Sequence, residues 1–170
     1  MFDLFSRRRP HVSLEISQAL GPGDIGEIRR LFVEYAESLG YDLGFQNFDD
    51  EVANLPGAYA PPGGALLLAR TGGAVAGGIG LRALEPGICE MKRLYVRPEF
   101  RAIKAGRRLA EAVINEARSA GYGKMRLDTL PTMEAAAHLY QALGFHEIAP
   151  YYTNPIPKVR YYELDLARSL

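Results

Sequence analysis

The chain has 170 residues, and its 20 Lys and Arg balance 20 Asp and Glu. Apolar types make up 48% of it, too much for a disordered chain, and zero net charge supplies no general field for nucleic acid or an acidic membrane. The single Cys89 excludes an internal disulfide or a Cys-rich zinc module and suits a reducing compartment. No apolar run approaches the ~20 residues that span a bilayer. The N-terminus places Phe2, Leu4 and Phe5 before Arg7, Arg8 and Arg9, the reverse of a secretory signal. A cytoplasmic protein is expected, with one domain over residues 1–170 and a loose lead at 1–11.

Residues 12–19 alternate loosely and read as a strand. Asp24 is placed to cap a helix that ends at Gly40, with Ile25, Ile28, Leu31, Phe32 and Tyr35 on one face. Residues 41–64 are irregular and rich in aromatics and Pro, with a short helix expected at 50–55; such a loop suits binding more than core. Residues 65–70 and 74–83 form a β-hairpin across Thr71-Gly72-Gly73. Residues 89–96 read as a strand, 104–120 as a strongly amphipathic helix and 124–129 as a strand. Thr132 is placed to cap a helix over 132–143, and 158–166 close the chain as a strand. The strand–helix–strand unit requires the strands at 89 and 124 to run parallel, while the hairpin is antiparallel, so the expected fold is α/β with a mixed sheet.

Charge is concentrated in one place. Seven basic residues (Lys92, Arg93, Arg97, Arg101, Lys104, Arg107, Arg108) face two acidic ones (Glu90, Glu99) where a strand ends, the chain turns at Pro98 and a helix begins. Unpaired amides and the positive end of the helix dipole, joined by cations, make a seat for a phosphate or pyrophosphate, and Gly106 allows close approach. A solvated basic face is the plain alternative.

Two motifs separate these alternatives. The run Leu94-Tyr95-Val96-Arg97-Pro98-Glu99-Phe100-Arg101-Ala102-Ile103-Lys104-Ala105-Gly106-Arg107-Arg108-Leu109 resembles the acyl-CoA-binding segment of GNAT-type N-acetyltransferases. Ala136-x-x-Leu139-Tyr140-x-x-x-Gly144-Phe145 resembles that family's second fingerprint, and the order of elements from about residue 65 to 166 agrees. The resemblance implies a single GNAT-type fold with splayed parallel central strands. It implies acetyl-CoA as co-substrate, with the main chain of Leu94, Tyr95 and Val96 holding the pantetheine amides as an added strand would. It also implies that the amides of Arg101, Ala102, Ile103, Lys104, Ala105, Gly106 and Arg107 hold the pyrophosphate. Lys104 stands where the family usually has Gly, and Met133 where many members carry a pantetheine-binding Asn. If position 104 needs φ > 0, Lys costs ~1 kcal/mol or more there; if it is helical, Lys costs little.

The implied reaction is attack of an amine on a thioester. A lysine-like amine must first lose a proton, at a cost of about 4.6 kcal/mol at pH 7. Glu90 is the candidate base, because it lies on the strand that carries the family's usual base. The alternative is a structural pair with Lys92 or an Arg. Strict alternation puts Glu90, Lys92, Leu94 and Val96 on one face and Cys89, Met91, Arg93 and Tyr95 on the other. Tyr140 matches the family's Tyr that points at the thioester sulfur; without the resemblance it reads as a core aromatic. The oxyanion donor is a backbone N–H in the 94–96 stretch.

Other signals lead nowhere chemical. Gly21-x-Gly23-x-x-Gly26 imitates a dinucleotide fingerprint, but no strand ends in an acidic residue ~20 positions later. His11, His138 and His146 lack metal-ligand spacing with carboxylates, so no metal is expected; Cys89 reads as a buried strand residue, with His138 as its only conceivable activator. The acceptor is expected to be a small amine entering between residues 41–64 and the Tyr151-Tyr152-x-Asn154-Pro155 loop, with no nucleic-acid or membrane partner. A homodimer is compatible with the sequence. The rival functions are a non-catalytic CoA-binding module and, with less support, a nucleic-acid binder.

Overall fold

The computed structural model describes residues 13–167. The basic lead, His11 and Val12 fall outside that range. The elements are β1 (Leu14–Gln18), α1 (Pro22–Leu39), α2 (Phe48–Ala53), β2 (Ala65–Thr71), β3 (Ala74–Glu85), β4 (Ile88–Val96), α3 (Ala105–Ser119), β5 (Lys124–Thr129), α4 (Glu134–Ala142), β6 (His146–Ile148) and β7 (Arg160–Asp165). They build one mixed seven-stranded sheet in the order β1-β2-β3-β4-β5-β7-β6. β4 and β5 are parallel as expected, and every other neighbour is antiparallel.

Helices cover both faces. α3 presents Leu109, Ala110, Val113, Ile114 and Ala117 to one face, where they join Leu67, Ile79, Leu81, Met91 and Met125. α1 covers the other with Ile28, Leu31 and Phe32, beside Tyr59, Leu66 and Leu68. β2 feeds both layers by alternation: Ala65, Leu67 and Ala69 point one way, Leu66 and Leu68 the other.

Two expected caps move. α1 starts at Pro22, whose missing N–H costs nothing at a first turn, so Asp24 lies inside the helix and pairs with Arg70 at 2.7 Å. Thr132 caps nothing; α4 starts one residue after Met133. The three-residue β6 carried no readable pattern.

Two departures from regularity in β4 shape the site. Its ladder with β5 comprises three pairs, Ile88↔Lys124, Cys89↔Met125 and Glu90↔Arg126. From Met91 to Val96 the strand keeps β3 on one side and, among the described residues, has no strand on the other. Within that stretch Arg93 sits at φ 62, and Lys92 and Tyr95 oppose Gly80 and Gly78. Three residue steps therefore face two, which is a β-bulge. The extra residue reverses the expected alternation. Leu94 and Val96 pack with Met91 toward α3, whereas Tyr95 faces Tyr35 of α1, with ring centroids 6.3 Å apart. Glu90 and Lys92 thus do not share a face with Leu94 and Val96.

The bulge depends on close backbone approach at Gly77. A Cβ there would lie 2.4 Å from the Tyr95 carbonyl oxygen and 3.1 Å from Val96 Cα. Gly77→Ala is expected to destabilise the fold by about 1–3 kcal/mol, because β4 must shift away from the added methyl. Urea unfolding checks this; an unchanged midpoint contradicts the reading.

Candidate active site

Where β4 and β5 part, a wedge opens. It is lined by Met91 to Leu94 of β4, Leu127 to Thr129 of β5, Tyr140 of α4 and Tyr35 of α1. The Leu94–Val96 main chain borders it as a strand edge without a neighbour. A second, more open cleft of about 240 Å³ lies beside it between Phe45-Gln46 and Tyr151-Tyr152, floored by Arg82, Glu90 and Lys92. The two loops expected to flank the acceptor do meet: Gln46 Nε2 donates to Tyr152 Oη at 3.3 Å.

Tyr140 is 6% exposed, with its ring against Phe145 and Tyr162 at centroid distances of 5.7 and 6.5 Å. It is at once a core aromatic and part of the wedge wall. Burial pushes its phenol well above the usual value, so the hydroxyl stays protonated and acts as a donor.

Glu90 is 1% exposed and both of its oxygens are engaged. Oε1 accepts from Arg82 Nε at 3.0 Å and Nη2 at 2.9 Å; Oε2 accepts from Tyr151 O–H at 2.6 Å. Of the two expectations for this residue, the geometry matches the structural pair, made with Arg82 and not with Lys92. A carboxylate held by three donors is a poor proton acceptor. Its visible work is to orient Tyr151, whose phenol is raised by burial and by the Glu90 charge.

The basic cluster does not form one surface. Arg93 is buried and forks onto Glu51 at 3.0 and 3.2 Å, with its guanidinium 5.1 Å from the Phe48 ring. Arg97 forks onto Glu34 at 2.8 and 3.0 Å. Lys92 is buried and lies 3.9 Å from Asp128 Oδ1. Arg101 and Lys104 remain exposed before α3, and Arg107, in its first turn, pairs with Glu111 at 2.9 Å; Arg101 Nε donates to the Val96 carbonyl at 3.0 Å, bracing the strand end. The amides of Ala105, Gly106 and Arg107 lack intrahelical acceptors, and no side chain caps them. A Cβ on Gly106 would meet nothing closer than Val96 Cγ2 at 3.7 Å, so protein packing does not demand glycine there, while an anion on the amides would. Residues Pro98–Ile103 form a 3-10 helix, so the amides of Arg101, Ala102 and Ile103 lie within it, and the open amides at the start of α3 are those of Ala105, Gly106 and Arg107.

The sequence pointed to the 41–64 and 151–155 loops but not to Asp128, nor to the contacts of Gln46, Tyr152 and Lys92. Tyr152 O–H donates to Asp128 Oδ2, and Asn154 Nδ2 donates to Tyr152 Oη at 2.9 Å. Three tyrosines, 151, 152 and 161, pack edge to face with centroids 5.3–5.6 Å apart. The paired tyrosines were the one available signal. Cys89 is fully buried, its Sγ 3.4 Å from the Lys124 carbonyl, and burial pushes its thiol up to about 12; His138 is exposed on α4 and cannot activate it.

Residues 25–145 match the family model of the acetyltransferase (GNAT) family. An uncharacterized N-acetyltransferase of Schizosaccharomyces pombe is 43% identical over 160 residues, covering 92% of this chain and 97% of its own length. A GNAT-family acetyltransferase structure from Staphylococcus aureus superposes with TM-score 0.75 at 21% identity, covering 91% of this chain and 99% of its own. An acetyltransferase from Salmonella typhimurium, solved with acetyl-CoA, superposes with TM-score 0.70 at 20% identity, covering 90% and 94%. At these identities the two structures speak for the fold.

Lys104 adopts φ 59, ψ 28, the left-handed region, so the residue that replaces the usual glycine carries backbone strain. Lys104→Gly is expected to raise stability by up to about 1 kcal/mol, and Lys104→Ala, which keeps the strain, to change it by less than about 0.5 kcal/mol. Denaturant midpoints decide; a destabilised Lys104→Gly would mean that the side chain holds the turn.

Proposed function

The chain belongs to the GNAT acetyltransferase family, and from that premise we propose that it moves the acetyl group of acetyl-CoA to a primary amine of a small acceptor held in the aromatic cleft. The observation that carries this reading is the meeting of two spaces: a wedge with a free strand edge and a separate aromatic cleft, joined at Lys92.

The donor supplies an acetyl thioester. The free Leu94–Val96 edge offers its main chain to the pantetheine amides, and the amides of Ala105, Gly106 and Arg107, with the Arg101 and Lys104 side chains beside them, hold the pyrophosphate. Met133 lines the wedge and cannot supply the amide contact of an Asn; the strand edge bears that load instead. The bulge at Arg93 interrupts the ladder where the thioester carbonyl would lie and frees a nearby N–H for the developing oxyanion. Tyr140 serves the sulfur. A phenol near 10 gives its proton to a thiolate near 8.5 only uphill, by about 2 kcal/mol, and burial steepens that slope. Tyr140 therefore works chiefly as a hydrogen-bond donor to the departing sulfur, with proton delivery late. Glu90 and Arg82 form the cleft floor, and Glu90 fixes the Tyr151 ring that walls the cleft.

Release of free CoA thiol, followed over a panel of primary amines and peptides, identifies the acceptor class. Tyr140→Phe is expected to lower kcat about 10- to 100-fold and to leave CoA affinity within about twofold. Unchanged turnover at saturating substrates would remove Tyr140 from the chemistry. CoA binding without turnover of any amine would favour a non-catalytic module.

A further inference from the structure

The wedge and the cleft share three lining residues, Phe45, Gln46 and Lys92. An amine arriving through the cleft meets a thioester in the wedge only where the two spaces join. Groups at that junction touch both reactants. Phe45 has no ionisable group, and the Gln46 amide neither gains nor loses a proton near neutrality. Lys92 is the third, and its surroundings are unusual for a lysine. Its side chain is 5% exposed, and Nζ has one long hydrogen bond, 3.4 Å to Gln46 Oε1. Asp128 Oδ1 lies 3.9 Å away, beyond hydrogen-bond reach. That oxygen accepts no hydrogen bond among the described residues, while Oδ2 is held by Tyr152.

We propose that Lys92 is the group that takes the proton from the acceptor ammonium, and that Asp128 Oδ1 seats that ammonium beside it. The assignment rests on the acetyl-transfer reading above. It replaces Glu90, whose two oxygens already accept from Arg82 and Tyr151. The other charged and titratable groups around Lys92 leave it this task. Arg82 of β3 and Arg93 of β4 stay charged against Glu90 and Glu51. Tyr35, Tyr140, Tyr151 and Tyr152, from α1, α4 and the loop before β7, are all raised by burial and stay protonated. Burial works against the Lys92 ammonium and lowers its pKa, opposed by Asp128 and Glu90. An incoming ammonium adds a second positive charge and favours the neutral form further.

The protons balance. One acceptor N–H bond breaks, its electron pair stays on nitrogen, and the proton goes to the Nζ lone pair. The nitrogen pair then forms the C–N bond, the C–S bond breaks, and its electron pair leaves on sulfur. The sulfur takes a proton from the Tyr140 hydroxyl, and the second nitrogen proton restores that hydroxyl. Lys92 returns its proton to water through the open cleft. The sum is ammonium plus acetyl thioester giving amide, thiol and one released proton.

The test pairs the fastest primary alkylamine of the panel with its alkoxyamine counterpart, in which O replaces the CH2 beside the amine. The alkylamine arrives protonated at neutral pH and the alkoxyamine does not. Lys92→Met and Lys92→Arg are expected to lose at least ~100-fold in kcat/KM on the alkylamine and less than about threefold on the alkoxyamine. Wild-type kcat/KM on the alkylamine should level off below the amine's own pKa, whereas the Lys92→Arg profile should keep rising to it. The chain holds four lysines, so labelling lysine Cε with carbon-13 gives a readout free of turnover. One resonance, missing from Lys92→Arg, should titrate below the other three. Equal losses on both probes, or four lysines titrating together, overturn the proposal. Failure of the wild type to acetylate any amine removes the acetyl-transfer premise instead, and is read separately from these losses.

Discussion

Three residue pairs join β4 to β5, and the rest of the site follows from the ladder stopping there. Beyond Glu90 and Arg126 the two strands keep their other partners, β3 and β7, so the sheet remains one body while its centre opens. A buried backbone edge without partners is costly, by about 1–3 kcal/mol for each unsatisfied group. Such an edge persists where water or a ligand can reach it. The fold therefore leaves β4 and β5 parted at the middle of the sheet. The bulge at Arg93 sits in this opened stretch and turns Leu94 and Val96 toward α3, so the free edge rests on a packed apolar floor.

The second organising feature is the treatment of charge. Arg82 and Glu90 of the cleft floor join Glu51 and Arg93 in one paired network, and Arg97 is paired with Glu34. Buried charges of this kind are costly unless paired, and their arrangement fixes geometry more than it adds stability. Paired groups hold their protonation state. Among the described residues near the cleft, Lys92 and one oxygen of Asp128 are held more loosely, and Lys92 lies where the wedge and the cleft meet. Arg101 and Lys104 stay exposed around the start of α3.

Much of the fold was legible because local patterns carried it. The apolar stripe of α3, the Gly-bounded end of α1 and the Thr71-Gly72-Gly73 hairpin are written in residues close together in the chain, and the elements formed within a few residues of their expected bounds. The parallel pairing of β4 and β5 followed from the helix between them. Expectations that depended on a single residue fared worse. Asp24 did not cap α1, because Pro22 lets the helix begin earlier. Alternation along β4 failed after Lys92, because one inserted residue reverses every face beyond it. Nothing in Met-Lys-Arg-Leu-Tyr-Val marks which residue will bulge; the neighbouring glycines of β3, Gly77 above all, make room for it.

By itself the sequence determined the layers, the mixed sheet and the two motifs that mark family membership, since these rest on periodicity and on residues near one another in the chain. Only tertiary structure decided which charges are spent on one another. The Arg82–Glu90–Tyr151 chain, the Arg93–Glu51 fork and the isolation of Lys92 beside Asp128 join residues from β3, β4, β5, α2 and a distant loop. A carboxylate or an amine looks the same in a sequence whether it will be neutralised or left open. Its chemistry is set by the neighbours that folding brings within ~4 Å, and those neighbours are chosen by the packing of the whole chain.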